Sequence, residues 1–246
     1  MLAIFACSSP PAAESPQVAQ VRQAVWVNGD FEASAIGSTP PTGWSVTNYT
    51  NNTGVTGSST AAPASFTALN LTAGGKTETF VVGGAAETQV DPDLGSGQPF
   101  RFPKYGTRGV RVNYKDATDN GKNKNANSLK QTMTITTGDI DPIDGQVHVR
   151  FAVAPVLENP SHGYTQQPFY FIELANLTRG TKLYQDFNTA GQSGVPWKTT
   201  TSIATGNTVQ WTNWQLVDVA PGASALAIGE QVQLTVVASG CALGGH

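Results

Sequence analysis

Charge is scarce in this sequence. Asp, Glu, Lys and Arg make up 13% of its 246 residues, about half the share of an ordinary soluble domain. Lys and Arg total 14 against 17 Asp and Glu, for a formal net charge of -3. There is no basic excess to hold nucleic acid and no polybasic patch for anionic lipid. Cysteine is nearly missing. Cys7 and Cys241 are the whole supply, which excludes a disulfide framework and offers no metal-ligand spacing. No apolar run approaches the ~18 residues of a membrane span. Lys, Glu and Leu are too sparse for a helical bundle. Catalytic signatures are also lacking: no Gly-x-Ser-x-Gly, no HExxH and no phosphate loop occurs. The only histidines are His148, His162 and His246, and no motif pairs two carboxylates for acid–base work.

What fills the space is neutral and β-prone. The sequence holds 29 Thr, 26 Gly and 15 Pro, and 39% of it is hydrophobic. The hydrophobic share argues against disorder, and β-branched residues favour strands. Period-2 alternation is clear in three places. Leu129, Met133 and Ile135 share a face; so do Val147, Val149, Phe151 and Val153; so do Val232, Leu234 and Val236. Phe169-Tyr170-Phe171-Ile172 reads as a strand buried on both sides. Further strands are expected at 24–27, 44–47, 79–82, 108–114, 182–187 and 214–219. About ten strands without an amphipathic helix predict an all-β fold, an antiparallel β-sandwich. No repeat and no linker divides residues 23–246, so one domain is expected there.

The N-terminus reads differently. Leu2, Ile4 and Phe5 form an apolar stub before Ala6-Cys7, and a Ser/Pro/Ala stretch follows to Gln17. A small residue before Cys is how a bacterial lipoprotein signal ends, although the charged start is missing and the apolar part is short. Residues 1–22 are therefore expected to be a truncated lipoprotein-type signal and flexible tether, with Cys7 as the lipidation candidate and so the point of membrane attachment. The other reading is a plain unstructured terminus. Two loops stand out. Residues 50–75 are Gly/Ser/Thr-rich and long for a compact domain, a feature of functional or mobile loops. Residues 116–127 read as a charged, solvated hairpin-type loop.

A series of short motifs carries a resemblance. Asn28-Gly29-Asp30-Phe31-Glu32 is followed by Gly43-Trp44. Phe102-Pro103-Lys104-Tyr105-Gly106 leads into Val110-Arg111-Val112-Asn113. Then come 129–135, Arg150 through His162, Gln167-Pro168-Phe169, Trp211-Thr212-Asn213-Trp214, and Ser239-Gly240-Cys241-Ala242-Leu243-Gly244-Gly245-His246. Their order resembles a jelly-roll domain of large surface proteins of Bacteroidetes and related bacteria, proteins that often also carry PKD repeats and secretion or gliding-motility tail signals. The opening motif is similar to that of galactose-binding-like carbohydrate-binding modules. The resemblance implies an extracellular or outer-membrane surface location. It also implies an aromatic closing strand after the Gly-Gly-His block, and this sequence stops at His246. The expectation is a sandwich lacking its last strand, with an open edge that another segment or a strand-donating neighbour fills.

Candidate ligand residues follow from chemistry. A glycan site needs aromatic faces for sugar C–H groups, with amides and hydroxyls nearby. Tyr49, Tyr105, Tyr164, Trp197 and Trp211 fall in predicted loops, with Trp197 the best platform, whereas Trp26, Trp44 and Trp214 read as core. His162 and His246 either flank one site or bind a metal, or else each fixes its loop through backbone carbonyls. Asn28, Asp30 and Glu32 bring several oxygens together, as a hard cation requires, and the similarity to carbohydrate-binding modules implies a structural calcium there; the alternative is an ordinary turn. The run Asp139 to Asp144 also hints at calcium but reads better as a turn. His148, mid-strand beside Arg150, reads as solvent-facing. The expected function is a non-catalytic surface module for adhesion or glycan recognition, with a glycan or surface protein as partner and no nucleic acid. The alternatives are a structural module of a larger surface assembly, or an accessory domain of a secreted polysaccharide- or protein-degrading enzyme.

Overall fold

The structure, a computed structural model, describes residues 26–58, 61–114, 124–203 and 205–244. Cys7 and His246 lie outside the described residues. The described chain is nearly all β, and every strand pair is antiparallel. The strands are β1 (Ser45–Thr50), β2 (Thr72–Ala73), β3 (Phe80–Gly83), β4 (Arg108–Arg111), β5 (Asn125–Thr134), β6 (Val149–Val153), β7 (Val156–Glu158), β8 (Phe169–Asn176), β9 (Thr181–Thr189), β10 (Lys198–Thr201), β11 (Thr208–Trp211), β12 (Gln215–Val219) and β13 (Gln231–Ser239). Short 3-10 turns are the only helical pieces among the described residues.

One six-stranded sheet forms the base, in the order β2-β1-β5-β13-β8-β9. The last strand in sequence, β13, sits at its centre, paired with β5 on one side and β8 on the other. The sheet is covered on both faces, as the Phe169–Ile172 run predicts. Tyr170, Ile172 and Leu174 of β8 join Val232 and Leu234 of β13 in the main core. Phe169, Phe171 and Val237, on the opposite face, pack against Val55 and Leu69.

The second layer is made of smaller pieces. β6 pairs with β12, β7 with β11, and β10 closes onto β11. β6 and β7 form one ribbon interrupted at Ala154-Pro155, where proline cannot donate to a ladder. β3 and β4 make a separate hairpin. Val149 of β6 lies in the main core, with Val110, Phe151, Val153 and Val219 packed against it. The layer thus faces the sheet through apolar side chains, as in a β-sandwich.

Two loop expectations meet a different structure. Residues 51–71 are not a free excursion. Val55 and Leu69 are buried on the second sheet face, Leu69 completely, because Phe169 and Phe171 need a cover there. At the other loop, β5 begins at Asn125, inside what reads as a polar loop. Asn127 is fully buried, and its carboxamide is satisfied on both sides. Its Oδ1 accepts from the Glu78 N–H (2.7 Å) and the Thr79 hydroxyl (3.2 Å), and its Nδ2 donates to the Lys76 carbonyl and Asn113 Oδ1 (both 3.1 Å). A polar residue in that position is a bridge between segments, which alternation does not reveal. Strands β2, β7, β10 and β11 also arise where the pattern shows none, since each is short and paired to one or two neighbours.

Candidate functional site: a cleft between the layers

The two layers do not close fully. Between them lies an apolar cleft of about 600 Å³. Tyr170 and Ile172 of β8 and Leu234 and Val236 of β13 border it from the large sheet, the first three of them buried. Residues 102–106 and 108–114, which include β4, line it, and so do residues 150–158 of the β6–β7 ribbon. Trp26, Phe31 and Trp44 close one end, with ring centroids 6.0 Å apart for Trp26–Trp44 and 5.3 Å for Phe31–Trp44. Phe100 and Trp214 line it as well, stacked at 5.8 Å.

Charged groups in the walls are mostly engaged. Arg111 Nη2 bonds Asp91 Oδ2 at 2.9 Å, and the guanidinium lies 3.6 Å over the Tyr114 ring. Asp91 Oδ1 accepts the N–H groups of Asp93 (2.9 Å) and Leu94 (3.3 Å), which locks a turn. Burial, and then the Asp91 charge, push Asp93 above the ordinary carboxylate range, against the bond it accepts from the Ser202 hydroxyl at 3.0 Å. Lys104 pairs with Glu87, and Arg150 with Asp218 at 2.7 Å. Three donors of the lining residues are different. Arg108 Nε, Trp26 Nε1 and Asn125 Nδ2 are buried without a hydrogen-bond partner, an unusual state for native polar atoms.

The predicted ligand residues do not gather into one site. Tyr105 stands on the cleft wall, 60% exposed, with Lys104 Nζ 5.9 Å from its ring centre. Trp197 is half-buried against the main core, and Trp211 faces Lys198 across the β10–β11 ladder. Trp211 is not in a loop: it ends β11 and is 1% exposed, its ring edge-on to Phe100 at 5.8 Å. The strand Thr208–Trp211 buries every second residue, and Trp211 takes the inner position with Val209. Tyr164 rests on Phe187 (6.4 Å) in a 3-10 turn, and His162 lies half-buried just before it.

The Asn28, Asp30 and Glu32 oxygens are engaged in turn and loop bonds. Asn28 Oδ1 accepts from Ala33 N–H (2.8 Å), its Nδ2 donates to Ser34 Oγ (2.8 Å), and Asp30 Oδ1 accepts from Glu32 N–H (3.2 Å). Glu32 reaches to Thr107, accepting from its hydroxyl at 2.5 Å and from its N–H, and these bonds hold Glu32 below the usual carboxylate range. A different acidic group lies on the Asp139–Gln146 turn. Ligand atoms of Asp141, Asp144 and His148 fall within 4.8 Å of one another. His148 there is not solvent-facing but clamped, with Nε2 2.8 Å from Asp144 and Nδ1 2.8 Å from Asp218. These two bonds raise its pKa, and its proximity lowers that of Asp144. Burial alone would push Asp218 up, but the bonds from Arg150 and His148 outweigh it and leave Asp218 lowered. Both ring nitrogens are thus committed to carboxylates.

Sequence reasoning marked Tyr105 and Asp30 of the cleft-lining residues but missed the walls themselves. Arg108-Gly109-Val110-Arg111 reads as a plain strand, and Phe151 and Val153 as core. The available signal was the mixed Arg/Val character of residues 108–112. No family model, curated protein or solved structure matches the chain.

Proposed function

We propose that this protein is a non-catalytic binding module of the cell surface, used in adhesion, and that its partner enters the interlayer cleft. The observation that carries this is the cleft itself: about 600 Å³, lined by apolar and aromatic side chains, with a few polar groups among them. Specific ligand sites have that make-up. The wall carboxylates Asp91 and Asp93 are tied to Arg111, Ser202 and turn amides, which supports binding over acid–base chemistry. The neutral, Thr-rich composition and the Ala6-Cys7 motif support a surface location. The fold reads as a jelly roll with a loosely closed second layer.

The experiment is binding of the full chain to glycan and peptide arrays, with Val110→Trp as the comparison. Val110 lines the cleft, and an indole there fills it. Binding that the variant loses while keeping its circular dichroism spectrum supports the reading. Binding that the variant retains in full places the ligand elsewhere and sinks it.

A further inference from the structure

We infer that the turn before β6 is a binding site for a divalent transition-metal ion of the zinc class, with Asp141, Asp144 and His148 as its ligands. The site is independent of the cleft, which neither these three residues nor Asp218 line.

The donor set gives the first reason. One ligand atom from each of the three side chains lies within 4.8 Å of the others, and among the described residues no other group of His, Cys, Asp and Glu is gathered in this way. Ligand atoms around a tetrahedral zinc ion stand roughly 3.3–3.5 Å apart. His148 Nε2 and Asp144 Oδ2 are 2.8 Å apart, so they need to part by only about 0.5 Å to admit the ion. The ion takes the place of the proton between them, and that proton goes to solvent. The backbone holds the turn in this shape. Asp141 N–H donates to the Gln146 carbonyl and Gly145 N–H to the Asp141 carbonyl, both at 2.8 Å. Asp144 Oδ1 accepts the Gln146 N–H at 2.9 Å, and Gln146 Nε2 reaches Asp144 Oδ2 at 3.2 Å.

Asp141 gives the second reason. It is buried, with 3% of its surface exposed. Its Oδ1 accepts the Ile143 N–H at 2.9 Å. Its Oδ2 accepts no hydrogen bond from the described residues. Arg150 Nη2 stands 3.9 Å from it, beyond hydrogen-bond reach, while Arg150 Nε is engaged with Asp218 at 2.7 Å. A buried carboxylate oxygen left in that state is costly. A cation held between Asp141 and Asp144 removes the cost.

The far side of the imidazole gives the third. A metal-bound histidine commonly donates its other ring N–H to a carboxylate, which fixes its tautomer and its aim. Here Nδ1 lies 2.8 Å from Asp218 Oδ1, and Arg150 holds the other Asp218 oxygen. Asp218 thus balances Arg150, which leaves two ligand carboxylates to balance a divalent ion. The ring nitrogen decides the class of ion. Imidazole suits zinc and its transition-series neighbours, whereas calcium and magnesium take oxygen shells. Three protein ligands leave a coordination position for water, and Asp144 is on the exposed side.

The test titrates the metal-stripped full chain with zinc chloride, and separately with calcium chloride, by calorimetry in mildly alkaline buffer. Long-range proton–nitrogen NMR follows the histidine rings, with His148 assigned from the signals lost in His148→Gln. Expected are a zinc-induced shift of the His148 Nε2 signal and calcium binding at least tenfold weaker than zinc binding. Asp141→Asn, Asp144→Asn and His148→Gln should each weaken zinc about tenfold or more, with the parent circular dichroism spectrum. The ring signals are read on the unaltered chain, so the result does not hang on the variants folding. No zinc binding at about 100 μM overturns the inference. So does zinc binding that leaves the His148 ring unmoved or shifts only His162 or His246. Calcium binding as tight as zinc overturns it too, as do folded variants that keep the parent affinity.

Discussion

Arg111 reaches across the cleft wall to Asp91, Nη2 to Oδ2 at 2.9 Å, and the pair is nearly closed off from solvent, with 19% and 5% of the two side chains exposed. The same guanidinium lies over the Tyr114 ring, 3.6 Å from its centre. One residue therefore joins β4, the 91–95 turn and the segment after β4. A buried pair adds little net stability over an apolar one, but breaking it strands a charge.

Arg111→Met is accordingly expected to cost about 3–5 kcal/mol, since Asp91 loses its counter-charge while remaining buried. Asp91→Asn in that background should recover part of the loss. Urea unfolding of the two variants decides it, and a loss under about 1 kcal/mol for Arg111→Met would show that the pair is effectively solvated.

The His148 clamp makes stability depend on pH. The folded chain holds the imidazolium between Asp144 and Asp218, so its pKa lies above the ordinary 6.5. That stabilisation is fully present below about pH 6.5 and disappears as pH rises through the raised folded value. Asp144 and Asp218 lie below their ordinary 3.8, so their contribution holds above that value and disappears as pH falls through the lowered ones. The melting temperature should form a plateau between these limits. His148→Gln should flatten the decline on the alkaline side; an unchanged decline in that variant would assign it to another group.

Asn127→Ala is expected to destabilise by roughly 3 kcal/mol or more, because it removes four hydrogen bonds and leaves buried backbone and hydroxyl groups unpaired. Asn127→Asp keeps the two acceptor contacts and loses the two donated bonds. Chemical denaturation of both variants measures the asymmetry.

Leu69→Ala tests whether the 51–71 segment is part of the core. Leu69 is fully buried against the Phe169 and Phe171 face. A loss of about 2–5 kcal/mol is expected, together with faster proteolytic cleavage in the segment. A neutral result would mean that the segment lifts off at little cost.

Apart from the two-residue β2, the large sheet was legible in the sequence because its strands are long and patterned. β8 and β13 announce themselves through Phe169–Ile172 and the Val232/Leu234/Val236 alternation. β5 was half legible, since Leu129 and Met133 show the period while Asn125 and Asn127 conceal it behind buried amides. The short strands β7, β10 and β11 were not visible, because three or four residues carry no period. The cleft was hidden for a deeper reason. Arg108, Val110 and Phe151 become walls of one space only through pairings that bring distant segments together. Trp211 shows the same limit: its neighbours Thr212, Asn213 and Trp214 look like a loop, yet Phe100 buries it.

The placement of β13 has a mechanical consequence. This nine-residue strand lies between β5 and β8 and is bonded along both edges. Tension applied along it loads both ladders in shear, so their bonds share the force and must yield together rather than unzip one at a time. The centre of the sheet is thereby the part of the molecule best suited to carry a pull, while the shorter paired pieces of the second layer are free to part first.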